Sequence, residues 1–252
     1  MNFVHQKQLI LDDEKPQIII PIVCCTDEDI VREANEIAAL DVFGLEWRLD
    51  CYEHSDDRFA LMKVLEKLAS ILKHKVFIVT LRTSDEGGQA DLVDNEYVSL
   101  YQFVIESGYV DMVDFEVQRI KRLTSDLVTF AKHHDVGIIL SYHNFYKVPD
   151  QHALEGLIQT MQAYQPTLYK LALMPKDVHD VVRFYHMSQA FHEQLQSPML
   201  MILMGKLGMS TRYQPSVYHS CLTFASLHSK SAPGQIAYAE LQTLLTIFHN
   251  LS

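Results

Sequence analysis

Positive charge is scarce in this chain. Its 21 lysines and arginines face 32 aspartates and glutamates, a formal net charge of −11 over 252 residues with histidine neutral. A surface that holds nucleic acid or an anionic membrane needs a basic patch, so neither partner is expected. A small anionic substrate stays compatible, because a few local arginines override the global field. No apolar run approaches the roughly 18 residues of a membrane span. Residues 1–16 mix His5, Lys7, Asp12, Asp13 and Glu14 with short apolar pieces. They offer neither the apolar stretch nor the small-residue cleavage site of a secretory signal. Cysteine is limited to Cys24, Cys25, Cys51 and Cys221, with no C-x-x-C. Zinc-finger spacing is therefore absent, and reduced, buried thiols in a cytoplasmic protein are expected. No G-x-S-x-G elbow, Walker-type loop or H-E-x-x-H occurs. The carboxylates that could hold Mg²⁺ are accompanied by arginines that would compete for them. No metal and no nucleotide cofactor is expected.

What is present is a regular alternation. At 48% hydrophobic and 21% charged, the composition is globular and excludes disorder and collagen. Apolar runs of strand length cover Ile18–Val23, Val42–Trp47, Val76–Leu81, Val110–Phe115, Val136–Tyr142, Thr167–Leu173, Met199–Met204 and Ser220–Ala225. Most are continuously apolar, as suits strands buried on both faces of a parallel sheet. Amphipathic segments of helix length lie between them: Glu28–Leu40, Asp57–Lys73, Glu96–Ser107, Ile120–His134, Gln151–Ala163, Asp177–Leu195 and Gln235–His249. Thr26 and Asp150 read as N-caps. The stretch between the last two strands carries Gly205, Gly208 and Pro215 and gives the weakest helix signal. Roughly 31 residues per βα unit predicts an α/β chain folded as one single-domain (β/α)8 TIM barrel over residues 1–252. An open doubly wound sheet competes, but it usually carries a glycine-rich turn after its first strand. Here that turn reads Val23-Cys24-Cys25-Thr26-Asp27.

In a barrel, chemistry sits at the carboxyl ends of the strands. Polar residues collect there. Glu46, Arg48 and Asp50 end the second strand, Arg82 and Glu86 follow the third, and Asp114 and Glu116 end the fourth. His143 ends the fifth, Lys170 lies inside the sixth, Arg212 follows the seventh, and Ser231 and Gln235 follow the eighth. Lys170 is the sharpest feature. An ammonium within an apolar strand must be desolvated, and that favours the free amine, a nucleophile for carbonyl carbon. A head that snorkels to the rim, or pairs with a buried carboxylate, is the other reading. His143 is the one histidine at a strand end that can serve such an amine as general acid and base. Glu86 can orient it, and Gly87-Gly88 beside it imply a tight bend next to a ligand. Arg48, Arg82 and Arg212 suit a polyhydroxylated carboxylate, or else form ion pairs with neighbours such as Glu46 and Glu116. Asp50, Asp114 and Glu116 read as supporting partners, and Met204 and Phe224 as core.

The chain resembles the type I 3-dehydroquinate dehydratase family over nearly its whole length. The motifs are Glu46-Trp47-Arg48-Leu49-Asp50, Arg82 with Glu86-Gly87-Gly88, Ser141-Tyr142-His143-Asn144-Phe145, Lys170-Leu171-Ala172-Leu173-Met174-Pro175, Met204-Gly205 with Ser210-Thr211-Arg212, and Ser231-Ala232-Pro233-Gly234-Gln235-Ile236. The resemblance implies a homodimeric, cytoplasmic lyase of the shikimate pathway, working without metal or nucleotide. It implies that Lys170 forms a Schiff base with 3-dehydroquinate and that His143, oriented by Glu86, moves the protons of a syn dehydration. Glu46, Arg48, Arg82, Arg212, Ser231 and Gln235 would bind substrate, Arg212 its carboxylate. Two positions depart from the pattern: Pro21, where some members carry a small polar residue, and His219, where glycine is common. Two alternatives remain open: another lysine-imine barrel of the aldolase type, which wants a phosphate nest, and a non-catalytic module that kept the pocket.

Overall fold

The computed structural model describes residues 2–4, 9–123 and 126–249. A short antiparallel hairpin, β1 (Asn2–Val4) and β2 (Leu9–Leu11), precedes the main sheet. The apolar runs then form parallel strands almost where the sequence puts them. They are β3 (Gln17–Ile22), β4 (Gly44–Arg48), β5 (Val76–Thr80), β6 (Met112–Glu116), β7 (Gly137–Asn144), β8 (Leu168–Leu173), β9 (Met199–Leu203) and β10 (Leu222–Ser226). A two-residue strand, β11 (Ile236–Ala237), lies parallel beside the end of β10. The strands pair in the order β10-β3-β4-β5-β6-β7-β8-β9. A bridge between Met199 and Ser220 joins the two ends. There Cys221 N–H donates to Met199 O at 2.9 Å, and Met201 N–H to Ser220 Oγ at 2.8 Å. The sheet thus curls into a (β/α)8 barrel.

The period of two along each strand sorts the side chains. One parity faces the helices: Ile20, Leu45, Trp47, Phe77, Val79, Val113, Phe115, Leu140, Leu171 and Met201 belong to the large core between sheet and helices. The other parity faces the barrel interior, where Ile19, Ile78, Met112, Ile139, Leu168, Leu200 and Leu222 form a separate apolar cluster. Further along the same inward rows stand Glu46 and Arg48, Thr80 and Arg82, Asp114 and Glu116, Ser141 and His143, and Lys170. The barrel is therefore plugged with hydrocarbon at its amino-terminal end and lined with charge at its carboxyl end.

The helices cover the outside. They are α1 (Asp27–Ala38), α2 (Arg58–Ile71), α3 (Asp94–Glu106), α4 (Val117–Ile120), α5 (Leu127–His133), α6 (Gln151–Tyr164), α7 (Val178–Leu195), α8 (Ser210–Tyr213) and α9 (Tyr238–His249). Thr26 caps α1 by accepting Asp29 N–H at 3.3 Å, and Asp150 caps α6 by accepting Ala153 N–H at 2.8 Å, as the sequence predicts. Of the helix expected over Ile120–His134, only the later part forms, as α5; α4 ends at Ile120, and residues 124–125 lie outside the described residues. The physical reason is Asp126, whose Oδ1 accepts Thr129 N–H at 2.9 Å and starts α5 afresh. The last helix begins at Tyr238 rather than Gln235, because Ile236 and Ala237 pair with β10. Between β9 and β10 only α8 and a 3-10 turn at Pro215–Tyr218 form. His219 ends that turn at φ 54°, in the left-handed region that favours glycine. The cysteines are free thiols, but Cys25 is exposed, contrary to expectation, since it lies beyond the end of β3.

Candidate active site

One cavity opens at the carboxyl ends of the strands, with about 530 Å³ of empty space including its mouth. Glu46, Arg48, Arg82, Glu86, His143, Lys170, Arg212, Ser231 and Gln235 all line it. Every residue singled out as catalytic or substrate-binding from the sequence is thereby brought together.

Lys170 points inward from the middle of β8. Its Nζ donates to Asp114 Oδ2 at 2.7 Å and lies 3.5 Å from Glu46 Oε1. The Phe224 ring lies beneath it, 4.8 Å from the nitrogen to the centroid. The paired reading of this lysine is the one the geometry shows: buried carboxylates hold the nitrogen where it lines the cavity. Burial alone would push the Asp114 carboxyl up, but Arg82 and Lys170 outweigh it and hold it well below the usual carboxylate range. Glu46 accepts from Thr80 Oγ1 at 2.8 Å, which fixes the carboxylate on the lysine's other side.

Arg82 is the hub of the charged wall. One nitrogen, Nη2, meets Asp114 Oδ1 at 2.8 Å. The other, Nη1, reaches Ser141 Oγ at 3.0 Å, Glu116 Oε1 at 3.2 Å and Glu86 Oε2 at 3.5 Å. Arg48 makes a bidentate pair with Asp50, Nε to Oδ1 at 2.8 Å and Nη2 to Oδ2 at 2.7 Å. Its partner is thus Asp50, not Glu46 or Glu116. Asp50 also accepts the backbone N–H groups of Arg82 and Gln89, so it ties the ends of β4 and β5 together.

His143 hangs from the end of β7 over the cavity. Glu86 Oε2 accepts its backbone N–H at 2.9 Å and faces its Nδ1 at 2.8 Å. With Nδ1 spent on Glu86, Nε2 is the nitrogen left for the cavity. Burial, reinforced by Arg82 and Lys170, pulls the imidazole well below its ordinary pKa, so it is neutral. Burial also pushes the Glu86 carboxyl up to about 8, opposed by Arg82 and reinforced by Glu116. Glu86 reaches this position through the glycines after it. Gly87 has φ 81°, and a Cβ there would sit 2.3 Å from the Phe145 ring. A Cβ on Gly88 would sit 2.0 Å from the Arg82 carbonyl oxygen.

Arg212 stands on the opposite wall. It is fully buried, yet its Nη2 donates only to the Pro233 carbonyl, at 3.1 Å, and its Nε has no partner. It has no ion pair among the described residues. Burial brings its guanidinium down to about 10. Beside it, Gln235 Oε1 accepts Ser231 N–H at 2.7 Å, and its Nε2 donates to Ser231 Oγ at 3.1 Å. The remaining side-chain lining is apolar, namely Phe145, Ala172, Ile202, Met204 and Phe224, and the sequence reading gave none of these a substrate-facing role. Met204 and Phe224 were expected as core, and both are buried, but they also face the cavity. Inward parity on β10 was the available signal for Phe224. Nothing local marks Phe145, which reaches in from a loop.

The description type I 3-dehydroquinase belongs to the family model that matches residues 18–252. The 3-dehydroquinate dehydratase of Enterococcus faecalis is 32% identical over 249 residues, 98% of each chain. The crystal structure of the Geobacillus kaustophilus 3-dehydroquinate dehydratase superposes with a TM-score of 0.90 at 30% identity, over 94% of this chain and 93% of that one. The Clostridium difficile type I enzyme, solved with covalent modified comenic acid, superposes with a TM-score of 0.89 at 28% identity, over 98% of this chain and 97% of that one.

Proposed function

We propose a Schiff-base mechanism for this chain, which belongs to the type I 3-dehydroquinase family and is a hydro-lyase. One convergence carries the reading: a buried lysine amine, a neutral imidazole and a guanidinium without a counter-ion open on a single cavity. The substrate this suits is 3-dehydroquinate. Its carboxylate supplies the charge that Arg212 lacks, by a charge-assisted pair. Glu46, Arg48, Arg82, Ser231 and Gln235 set the ring and its hydroxyls. Arg82 does so mainly through the carboxylates it fixes, since its own donors are engaged.

Lys170 Nζ adds to the C3 carbonyl, and the two protons it gives up pass through His143 to the carbonyl oxygen, which leaves as water, giving an iminium. The positive nitrogen draws electrons from the C2–H bond. His143 Nε2 takes that proton, the C1–O bond breaks, and the same imidazole protonates the departing hydroxide on the same face. Asp114 stabilises the cationic nitrogen throughout, because its carboxylate stays charged beside it. Water then cleaves the iminium, releasing 3-dehydroshikimate and the free amine. The Clostridium difficile enzyme, solved with covalent modified comenic acid, is in keeping with a nucleophilic group in this family. The gap in Arg212's bonding favours a carboxylate over the phosphate of an aldolase substrate, which calls for a backbone nest. Family membership further supports a cytoplasmic homodimer serving the shikimate pathway. The test is borohydride reduction during turnover followed by peptide mass spectrometry. One ligand per chain on Lys170 is expected; an adduct on a peptide without Lys170, or none at all, overturns the mechanism.

A further inference from the structure

At the end of the barrel opposite the cavity, three residues far apart in sequence meet. Asp13 precedes β3, His219 precedes β10, and His192 lies in the last turn of α7, ahead of β9. His219 Nδ1 stands 2.9 Å and His192 Nδ1 3.6 Å from the same oxygen, Asp13 Oδ2. The ligating atoms of all three lie within 4.8 Å of one another, and each side chain is partly exposed.

The protonation of His219 follows from its far side. Gln189, one turn before His192 on α7, donates Nε2 to the Val217 carbonyl at 3.0 Å. That fixes its Oε1 2.8 Å from His219 Nε2. An amide oxygen only accepts, so Nε2 carries hydrogen. Nδ1 then aims a lone pair at the Asp13 carboxylate oxygen 2.9 Å away, and two acceptors that close need a hydrogen or a metal ion between them. A second ring proton supplies one solution and a metal ion the other. The His192 ring stacks on His219, centroids 3.8 Å apart at 14°. The stack brings the His192 Nδ1 to the same Asp13 oxygen, so a second imidazole nitrogen is at hand for the same ion. A hydrogen-bonded far nitrogen is also what metal-bound histidines usually show.

We propose that Asp13, His192 and His219 bind a divalent transition ion of the zinc type at the amino-terminal face of the barrel. Two imidazole nitrogens and one carboxylate oxygen form a borderline donor set, suited to Zn²⁺ rather than Mg²⁺ or Ca²⁺. Water completes the coordination from the exposed side, and the two rings splay so that both nitrogens reach the ion. The site ties together the segments that enter β3, β9 and β10, where the barrel closes on the single bridge between Met199 and Ser220. Its role is to staple that seam. It lies at the other end of the strands from the reacting groups. The 206-residue separation of Asp13 and His219 hides it from any spacing motif.

The test starts from chelator-stripped protein titrated with Zn²⁺ by calorimetry and with Co²⁺ by visible absorption, alongside thermal melts. One ion per chain is expected, with a Tm that rises with free Zn²⁺. His219→Gly suits the left-handed backbone at φ 54° and so folds. It and His192→Ala should each bind at least about tenfold more weakly, with unchanged dehydration rates. Absence of a one-ion isotherm, or wild-type affinity in both variants, overturns the proposal and leaves Asp13 and His219 as an imidazolium–carboxylate pair.

Discussion

Two walls of the same cavity hold buried arginine in opposite states. On the β4–β8 side, Arg82 is surrounded by Asp114, Glu116, Glu86 and Ser141, and its donors are engaged before any ligand arrives. On the β9–β10 side, Arg212 is as deeply buried but finds only one backbone carbonyl. A buried cation with its carboxylates in place is scaffold: it fixes the charges that position Lys170 and His143. A buried cation without them is destabilising until an anion comes, and so it marks where an anion binds. The sequence treats the two arginines alike. Their surroundings assign them different work.

The largest effects should come from the preassembled wall, because the chemistry is there. Lys170→Ala should abolish both turnover and covalent adduct. His143→Ala should lose about 10²–10⁴-fold in kcat, the usual contribution of a positioned acid–base group. It should still form imine slowly, since the amine remains. Time-resolved intact mass of both variants with substrate and product separates these outcomes. An adduct on the Lys170 variant, or near-normal turnover by the His143 variant, would break the division of labour between them.

The arginines test the comparison directly. Arg212→Ala should raise KM roughly 10–100-fold, the worth of a charged hydrogen-bonded contact, with little loss of folding stability. Arg82→Ala should do the reverse in kind. It strands Asp114, Glu116 and Glu86 without their shared cation, and removal of one partner from a buried ionic cluster costs about 3–5 kcal/mol. Urea melts and steady-state kinetics on the two variants check this. Equal destabilisation in both would erase the distinction between scaffold and receptor.

A smaller effect should appear in the pH profile. Burial, then Arg82 and Lys170, hold folded His143 below its ordinary pKa, so the base stays competent at neutral pH. The acid limb of kcat/KM should therefore fall below the reference value of about 6.5. The unfolded chain binds a proton at this histidine before the folded chain does. Its contribution to stability is thus present above the unfolded pKa and is lost as pH falls towards the depressed folded value. A limb at or above the reference value would mean that burial and the neighbouring cations do not depress the imidazole. The smallest effect is the one expected of EDTA, which should leave kcat unchanged because the iminium supplies the electrophile. A loss of kcat restored by Zn²⁺, under conditions where melts show the chelated protein still folded, would place a metal in the reaction itself.

Much of this was legible before any coordinates. Near-continuous apolar runs such as Val76–Leu81 suit strands buried on both faces, and capping residues such as Thr26 gave helix starts. Lys170 stood out because an ammonium within Leu168-Tyr169-Lys170-Leu171-Ala172 is costly anywhere but beside a polar pocket. The break before α5 was harder to see, since an amphipathic pattern continued through it while Asp126 competed locally as a cap. Phe145 was illegible for another reason: loop side chains carry no period.

The rhythm of strand and helix, and the residue types that sit at the carboxyl ends of the strands, are legible along the chain. These follow from local periodicity and from the cost of burying charge. Only the tertiary structure decided the partners. It gave Arg48 to Asp50, Lys170 to Asp114, and Glu86 to the Nδ1 side of His143, and it left Arg212 without a carboxylate among the described residues. It also drew Asp13, His192 and His219 together at the other face. Pairing depends on strand order, on closure between β9 and β10 and on side-chain geometry across the barrel, and no local pattern along the chain encodes those distances.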